Sequence, residues 1–311
     1  MYLKLILVAG LLAFCAVVFS AFARLSDAGL GCSNWPACYE ENALKERQLP
    51  QADAVIRHHA SWKWKLQNQV GMLLGILAIV ICGMSWKKRR EIKQSPLLPT
   101  LLLLLIAFLA VFGIVAFSYF PRSVIVPVHL IGGSFMLMLL TWLALRQIAL
   151  IEINIGTQFR LRGYLHLGLV LILLQITLGA WVSSNFASLA CTDLPLCKGM
   201  LLPPMDFSFS ISKYGSLPTM EQMTAIHWMH RVGAIVTILY LGWLSIMIMK
   251  FEGLQAIGKA MLGLVLFQFM LGVANVLLGL PLVIAVLHNA VAMVMLMTLV
   301  ILNFRVRSRK S

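Results

Sequence analysis

The sequence predicts an all-α, polytopic membrane protein, with eight transmembrane helices arranged as two pseudo-symmetric four-helix bundles. Three observations lead there. Of 311 residues, 60% are hydrophobic and only 12% charged, with a mean hydropathy of +0.90, which excludes an ordinary soluble domain. Apolar segments of about 20 residues, the length that crosses roughly 30 Å of hydrocarbon, recur eight times. Landmark residues also repeat at one spacing: Cys32 to Cys191, Cys38 to Cys197 and His129 to His288 are each 159 positions apart. An even number of spans per half gives both halves the same orientation, related by an axis along the membrane normal.

The spans are expected at residues 4–23, 66–85, 97–118, 124–145, 163–182, 224–249, 258–279 and 281–303. The first is read as a retained helix and not a leader, because only Lys4 precedes it and no small-residue cleavage site follows it. The halves are 1–150, with an outer loop at 24–65, and 151–311, with an outer loop at 183–223. Charge sets the orientation. With both termini cytoplasmic, the inside receives Lys4, the Trp86–Lys93 basic cluster, Arg146, Arg160, Arg162, Lys250, Lys259 and the basic tail. That is fifteen basic against three acidic residues, leaving ten and eight outside. This asymmetry predicts N-in, C-in. It also removes nucleic acid as the explanation of the +14 net charge, and a bacterial inner membrane is the expected location.

Each outer loop opens on a cysteine pair of identical spacing, Cys32-Ser-Asn-Trp-Pro-Ala-Cys38 and Cys191-Thr-Asp-Leu-Pro-Leu-Cys197. On an oxidising face such pairs are expected to close as the disulfides Cys32–Cys38 and Cys191–Cys197, with stapling the ordinary role and redox work the alternative. Cys15 and Cys82 lie inside spans and read as small apolar residues.

The chemistry resides in histidines at membrane depth, where an ionisable side chain is costly enough to suggest function. Spans four, six and eight enter from the outside, and His129, His230 and His288 lie about six, seven and eight residues into them. At about 1.5 Å per residue these depths agree within a turn. Imidazoles facing each other from alternate helices of a bundle can ligate a haem iron on both faces, so His230 and His288 are paired in the second half. Arg231 would offer a cation to porphyrin propionates. Zinc or copper sites want three or four close ligands, and a proton relay wants intramembrane carboxylates; the span cores contain neither. His227 shares a face with His230 and reads as its partner or an alternative ligand. His166 reads as interfacial, and His58 and His59 as solvated loop residues. Phe207–Tyr214 alternates as an interfacial strip would.

The stretches DAGLGCSNWPACYE after span one, VHLIGG in span four, IHWMHRVGA in span six and LHNAVAM in span eight resemble the heme A synthase family over essentially the whole chain. That resemblance implies an inner-membrane oxidoreductase that converts the C8 methyl of haem O to a formyl group, making haem A for cytochrome oxidase. It implies a haem b cofactor on His230 and His288 and a substrate haem beside His129. The partners it implies are haem O, the lipid bilayer, the farnesyltransferase that makes haem O, and a second copy of the chain.

One element departs from the family. Its span-two Glu-x-x-His-Arg motif is replaced by Trp64-Lys65-Leu66-Gln67-Asn68-Gln69. Aligning Asn68 with His230 puts Lys65 at the Glu position, whereas a shift of one residue uses Gln67 and Trp64. Neither register supplies an imidazole or a carboxylate, so no catalytic residue is assigned. Three readings stand: a synthase whose substrate iron is held by His129 alone; a diverged homologue that binds haem b and serves as a haem carrier, assembly factor or electron-transfer cytochrome; and a transporter or structural membrane protein without haem.

Overall fold

The computed structural model describes residues 1–27, 62–92, 95–120, 122–148, 155–208 and 218–307. Cys32, Cys38, His58 and His59 lie outside the described residues. Eight long helices carry the fold: α1 (Tyr2–Asp27), α2 (Trp62–Lys87), α3 (Leu97–Tyr119), α4 (Arg122–Leu145), α5 (Ile155–Ser184), α6 (Met220–Ile248), α7 (Gln255–Leu277) and α8 (Leu282–Arg305). All eight are long and apolar enough to cross a membrane. The protein is a multi-pass helical membrane protein, and each expected span matches one helix, the last three overrunning theirs by one or two residues. In hydrocarbon every backbone N–H and C=O must be satisfied within the segment, which a helix does alone. It also explains why large side chains such as Leu11, Ile79, Leu104, Ile114, Leu239 and Met270 stand exposed: their solvent is lipid.

α6 starts ahead of its apolar run because its first turn is capped locally. Thr219 starts α6 by accepting from the Gln222 backbone N–H, while Gln222 Oε1 accepts from the Thr219 N–H, a reciprocal capping box. The very short α7–α8 connection closes through Gly279 and Leu280, both in the left-handed region (φ 68° and 63°). Leu280 N–H donates to Asn275 O (2.7 Å). A left-handed leucine is strained by about 1–2 kcal/mol. Its side chain is buried with Leu25, Leu189 and Ala285, and that packing holds it there.

Packing follows chain order. α1 packs on α2 and α4, and α3 on both α2 and α4; α5 packs on α6 and α8, and α7 on both α6 and α8. The seam between these two rings is formed by α1 and α4 on one side and α5 and α8 on the other. Buried positions recur along the chain. Ile6, Ala13, Val17 and Ala21 of α1 are buried, as are Leu165, Ile172, Ile176 and Ala180 of α5, each 159 positions later. At the seam, Ser134 Oγ donates to Met293 Sδ (3.6 Å), again 159 positions away. Residues 159 positions apart thus meet at the α4–α8 contact.

At one end of the bundle lies the Cys191–Cys197 loop. At the other, Trp142 and Phe304 meet edge to face at 5.0 Å, with the Arg307 guanidinium over both rings.

Candidate functional site: histidines inside the bundle

α6 delivers three polar side chains just below its capped start. His227 is buried and belongs to the loop. The Cys191 N–H meets its Nδ1 at 3.3 Å and Arg231 Nε–H meets its Nε2 at 3.3 Å. A neutral imidazole accepts at one nitrogen only, so one of these is the hydrogen bond and the other a close contact. One turn on, Arg231 donates from Nη1 to the carbonyls of Asp193 and Leu196 (2.9 Å each) and from Nη2 to that of Cys191 (2.7 Å). The loop is closed by the Cys191–Cys197 disulfide, as its spacing predicts. Its companion Cys32–Cys38 lies outside the described residues.

Arg231, expected at the propionates of a haem, is therefore spent mainly on the loop, with one Nη2 hydrogen left over. Arg231→Ala leaves three loop carbonyls without their donor and is expected to destabilise the protein by about 1–3 kcal/mol, read as a lower melting temperature. Arg231→Lys, a point charge without the planar fork, is expected to recover only part of the loss. A melting temperature unchanged in both variants would contradict this role.

The loop has a second anchor. Lys198 and Gly199 turn through the left-handed region (φ 55° and 75°). Their N–H groups both point at the Asp193 carboxylate, at 2.7 Å. The Gly199 N–H first, and the Lys198 N–H with it, hold the Asp193 carboxyl below its ordinary value. A carboxylate depressed in the folded state stabilises above the unfolded pKa of about 3.9, and that contribution disappears as pH falls through the lower folded value. The loop is thus expected to stay closed through neutral and mildly acidic pH and to open only below the usual carboxylate range. Protease nicking of the loop as a function of pH measures this. Asp193→Asn should nick at neutral pH, and equal resistance in the variant would refute the anchor.

His230, one turn on from His227, is half-buried. Its ring packs on α5 at Gly179, where an added Cβ would come within 3.2 Å of Cε1. Gln175 of α5 approaches it with its amide nitrogen 3.1 Å from Nδ1 and 3.0 Å from the His230 carbonyl. His288, on α8, packs on Gly272 of the neighbouring α7, with an added Cβ 3.5 Å from Cε1. Its ring has a backbone partner at Gln268 of α7 and no side-chain one. α6 and α8 stand on opposite corners of the α5–α8 ring, both packed on α5 and α7, and each carries one of the two histidines that the sequence pairs.

His129 occupies the corresponding place in the first ring. Its Nδ1 meets the Ile125 carbonyl one turn back (3.1 Å), which leaves Nε2 turned outward, 3.2 Å from a Cβ built on Gly113 of α3. Gly113 and Gly272 are themselves 159 positions apart. Phe112 lies against the His129 ring at 5.7 Å. Across that ring, α2 presents Lys63, Trp64, Gln67 and Val70 on its partly buried side, while Lys65, Leu66, Asn68 and Gln69 are exposed.

This corrects the register of span two. Leu74, Ala78, Ile81, Cys82 and Ser85 are buried in α2, and Thr237, Leu241, Leu244, Ser245 and Ile248 in α6, all offset by 163 positions. Read with that offset, Gln67 and not Asn68 stands where His230 does. The same offset sets Trp64, and not Lys65, one turn before it on the partly buried side, and Lys65 is exposed. Periodicity alone could not choose between two registers one residue apart; the buried stripe does. His166 is exposed on α5, and Phe207 is exposed in the second loop, while 209–217 lie outside the described residues.

Sequence reasoning missed the glycines that seat the rings, and Gln175. The 159-residue relation of Gly113 to Gly272 and a glutamine in the apolar middle of α5 were the available signals.

Fold and site together define a multi-pass helical membrane protein that carries paired imidazoles inside its bundle, beneath a disulfide-closed loop. The family model COX15-CtaA, described as cytochrome oxidase assembly protein, matches residues 4–300, and the chain belongs to that family. It is similar to the heme A synthase of Shewanella oneidensis, 33% identical over 306 residues that cover 93% of this chain and 91% of that protein. It is similar also to the heme A synthases of Methylobacterium nodulans, 26% identical with 88% and 83% covered, and Halalkalibacterium halodurans, 24% identical with 90% and 88% covered.

Proposed function

We propose that the chain is a heme A synthase, oxidising the C8 methyl group of haem O to a formyl group to supply haem A to cytochrome oxidase. Family membership and the names of its relatives support the reaction class. The observation that carries the assignment to residues is the His230–His288 pair, two imidazoles on diagonal helices, each seated on a glycine of a neighbour. Such a pair fits a haem iron bound on both faces. The room left by Gly179 and Gly272 suits the same group. In this reading haem b is the resident cofactor of the second half, residues 151–311, and supplies electron transfer when bound. Arg231 and His227 fasten the disulfide loop over its outer edge.

The first half, residues 1–150, receives haem O. His129 Nε2 is the one imidazole nitrogen offered to its iron, with Phe112 beside the ring as a flat apolar wall for the macrocycle. Opposite, Gln67 presents an amide, a poor iron ligand, so the substrate iron keeps one protein ligand and an open face. An open coordination position is compatible with oxygen chemistry. The 159-residue recurrences and the Ser134–Met293 contact support two halves related by an axis along the membrane normal. The charge asymmetry supports both termini in the cytoplasm, and the relatives a bacterial inner membrane.

The experiment is conversion of haem O. Cells that make haem O but lack this activity are given the wild-type chain, and extracted pigments are separated by chromatography. Hydroxylated and formyl products above the empty-vector control are expected. If the pigments match the control while the protein still carries haem b, the chain is instead a haem-binding homologue without the oxidation.

A further inference from the structure

The second half holds a polar side chain that the haem reading does not use. Gln175 sits one turn before Gly179 on α5, within an otherwise apolar stretch. Its amide nitrogen is shared between His230 Nδ1 at 3.1 Å and the His230 carbonyl at 3.0 Å. Its oxygen is buried with no hydrogen-bond partner. That oxygen lies against Gly233, one turn on from His230, where an added Cβ would collide with it and would come within 2.9 Å of Leu178 Cδ1. Gln175, Gly179 and Gly233 thus form a close cradle around one imidazole.

The rest of the chain acts as an internal control. The offset that matches α5 to α1 places Ala16 where Gln175 stands, and the offset that matches α6 to α2 places Gln67 where His230 stands. The amide is present where the histidine is present and absent where it is absent. His129 finds its Nδ1 partner in its own helix at Ile125 O, and the His288 ring has a backbone partner at Gln268 of α7 and no side-chain one. Of the three bundle histidines, only His230 is approached through Nδ1 by a side chain from another helix.

We propose that Gln175 is a positioning residue for His230, which turns its amide oxygen to the ring and accepts the Nδ1–H when Nε2 binds iron. This rests on the reading that His230 and His288 hold haem b. An imidazole that ligates a metal through one nitrogen carries its proton on the other, and the acceptor facing that proton fixes the tautomer, the ring plane and the basicity of the ligand. The two ends of an amide are distinguished only by their partners. The orphaned oxygen is the partner such a ring requires, and a turn of the terminal amide, which has a soft and roughly two-fold torsion, brings it into place and gives up the amide's hydrogen bond to the His230 carbonyl. A stronger acceptor at this point gives the ligand more imidazolate character and favours ferric iron, and removing the acceptor does the reverse.

The test is a redox titration of the full-length protein in lipid nanodiscs, with the electron paramagnetic resonance spectrum of its ferric low-spin haem. Gln175→Glu is expected to lower the midpoint potential of the b-type haem and Gln175→Leu to raise it, with haem retained and the g-values displaced. Opposite signs separate ligand tuning from general loosening, which moves both variants the same way. If Gln175→Leu does not accumulate, Gln175→Met supplies the acceptor-free arm. Unchanged potentials and g-values, or shifts of one sign, overturn the proposal while leaving the haem assignment intact. A wild-type protein whose spectrum does not depend on His230 and His288 overturns the haem assignment, and this proposal with it.

Discussion

His230→Ala and His288→Ala are each expected to abolish the reduced low-spin b-type absorption band of the purified protein, and His129→Ala to leave it in place. The reason is geometric. Low-spin haem iron needs a strong ligand on each face, and the α5–α8 ring offers two imidazoles on diagonal helices, each immobilised against a glycine, Gly179 or Gly272. With one removed, no other described imidazole can replace it. His227 is turned into the loop, against the Cys191 N–H and Arg231. The loss should appear in stability too. A cofactor held at a hundred times its dissociation constant stabilises the folded state by about 2.7 kcal/mol, and both alanine variants should melt lower by an amount of that order. The measurement is a reduced-minus-oxidised spectrum with a thermal melt on the same samples. A wild-type band in either variant would sink the pairing.

His129→Ala should cut haem O conversion by about a hundredfold or more, since loss of a positioning contact at the reacting centre is felt at that scale, while the b-type band stays. The companion experiment tests the α2 register. Gln67→His places an imidazole on the partly buried face opposite His129, and is expected to add a second low-spin signal and to suppress conversion by filling the open face. Asn68→His places the same ring on the exposed face and should change neither. Reversal of these two outcomes would return the register to Asn68 and Lys65. Conversion unaffected in His129→Ala would remove the substrate from the first half.

Much of this was legible beforehand. The eight spans were visible because a helix that crosses hydrocarbon must be apolar over a fixed length, and composition reports this directly. The common depth of His230 and His288 was visible because ionisable residues are rare in such spans and a shared repeat brought the two positions into agreement. The second disulfide was visible in its spacing. Arg231 was misjudged in emphasis. Its charge and depth suggested a propionate partner, but three backbone carbonyls of the Cys191–Cys197 loop fold back to within 3 Å of its guanidinium. No local pattern announces a return of chain from 35 to 40 residues away. Gln175 escaped for the same reason: its significance lies in what α6 brings beside it.

The sequence by itself determined that this is a membrane protein of eight helices, which end is rich in disulfide-forming cysteine, and which imidazoles lie at a common depth. Each follows from a property carried by a residue or a short segment: transfer free energy, charge, spacing. The tertiary structure alone decided which way the helices face. It set the buried stripe of α2 one residue away from the Asn68 alignment, placed Gln67 across from His129, and left Lys65 exposed. In lipid both faces of a helix are apolar, so the inward side carries no hydropathy signature, and only the packing of neighbouring helices can select it.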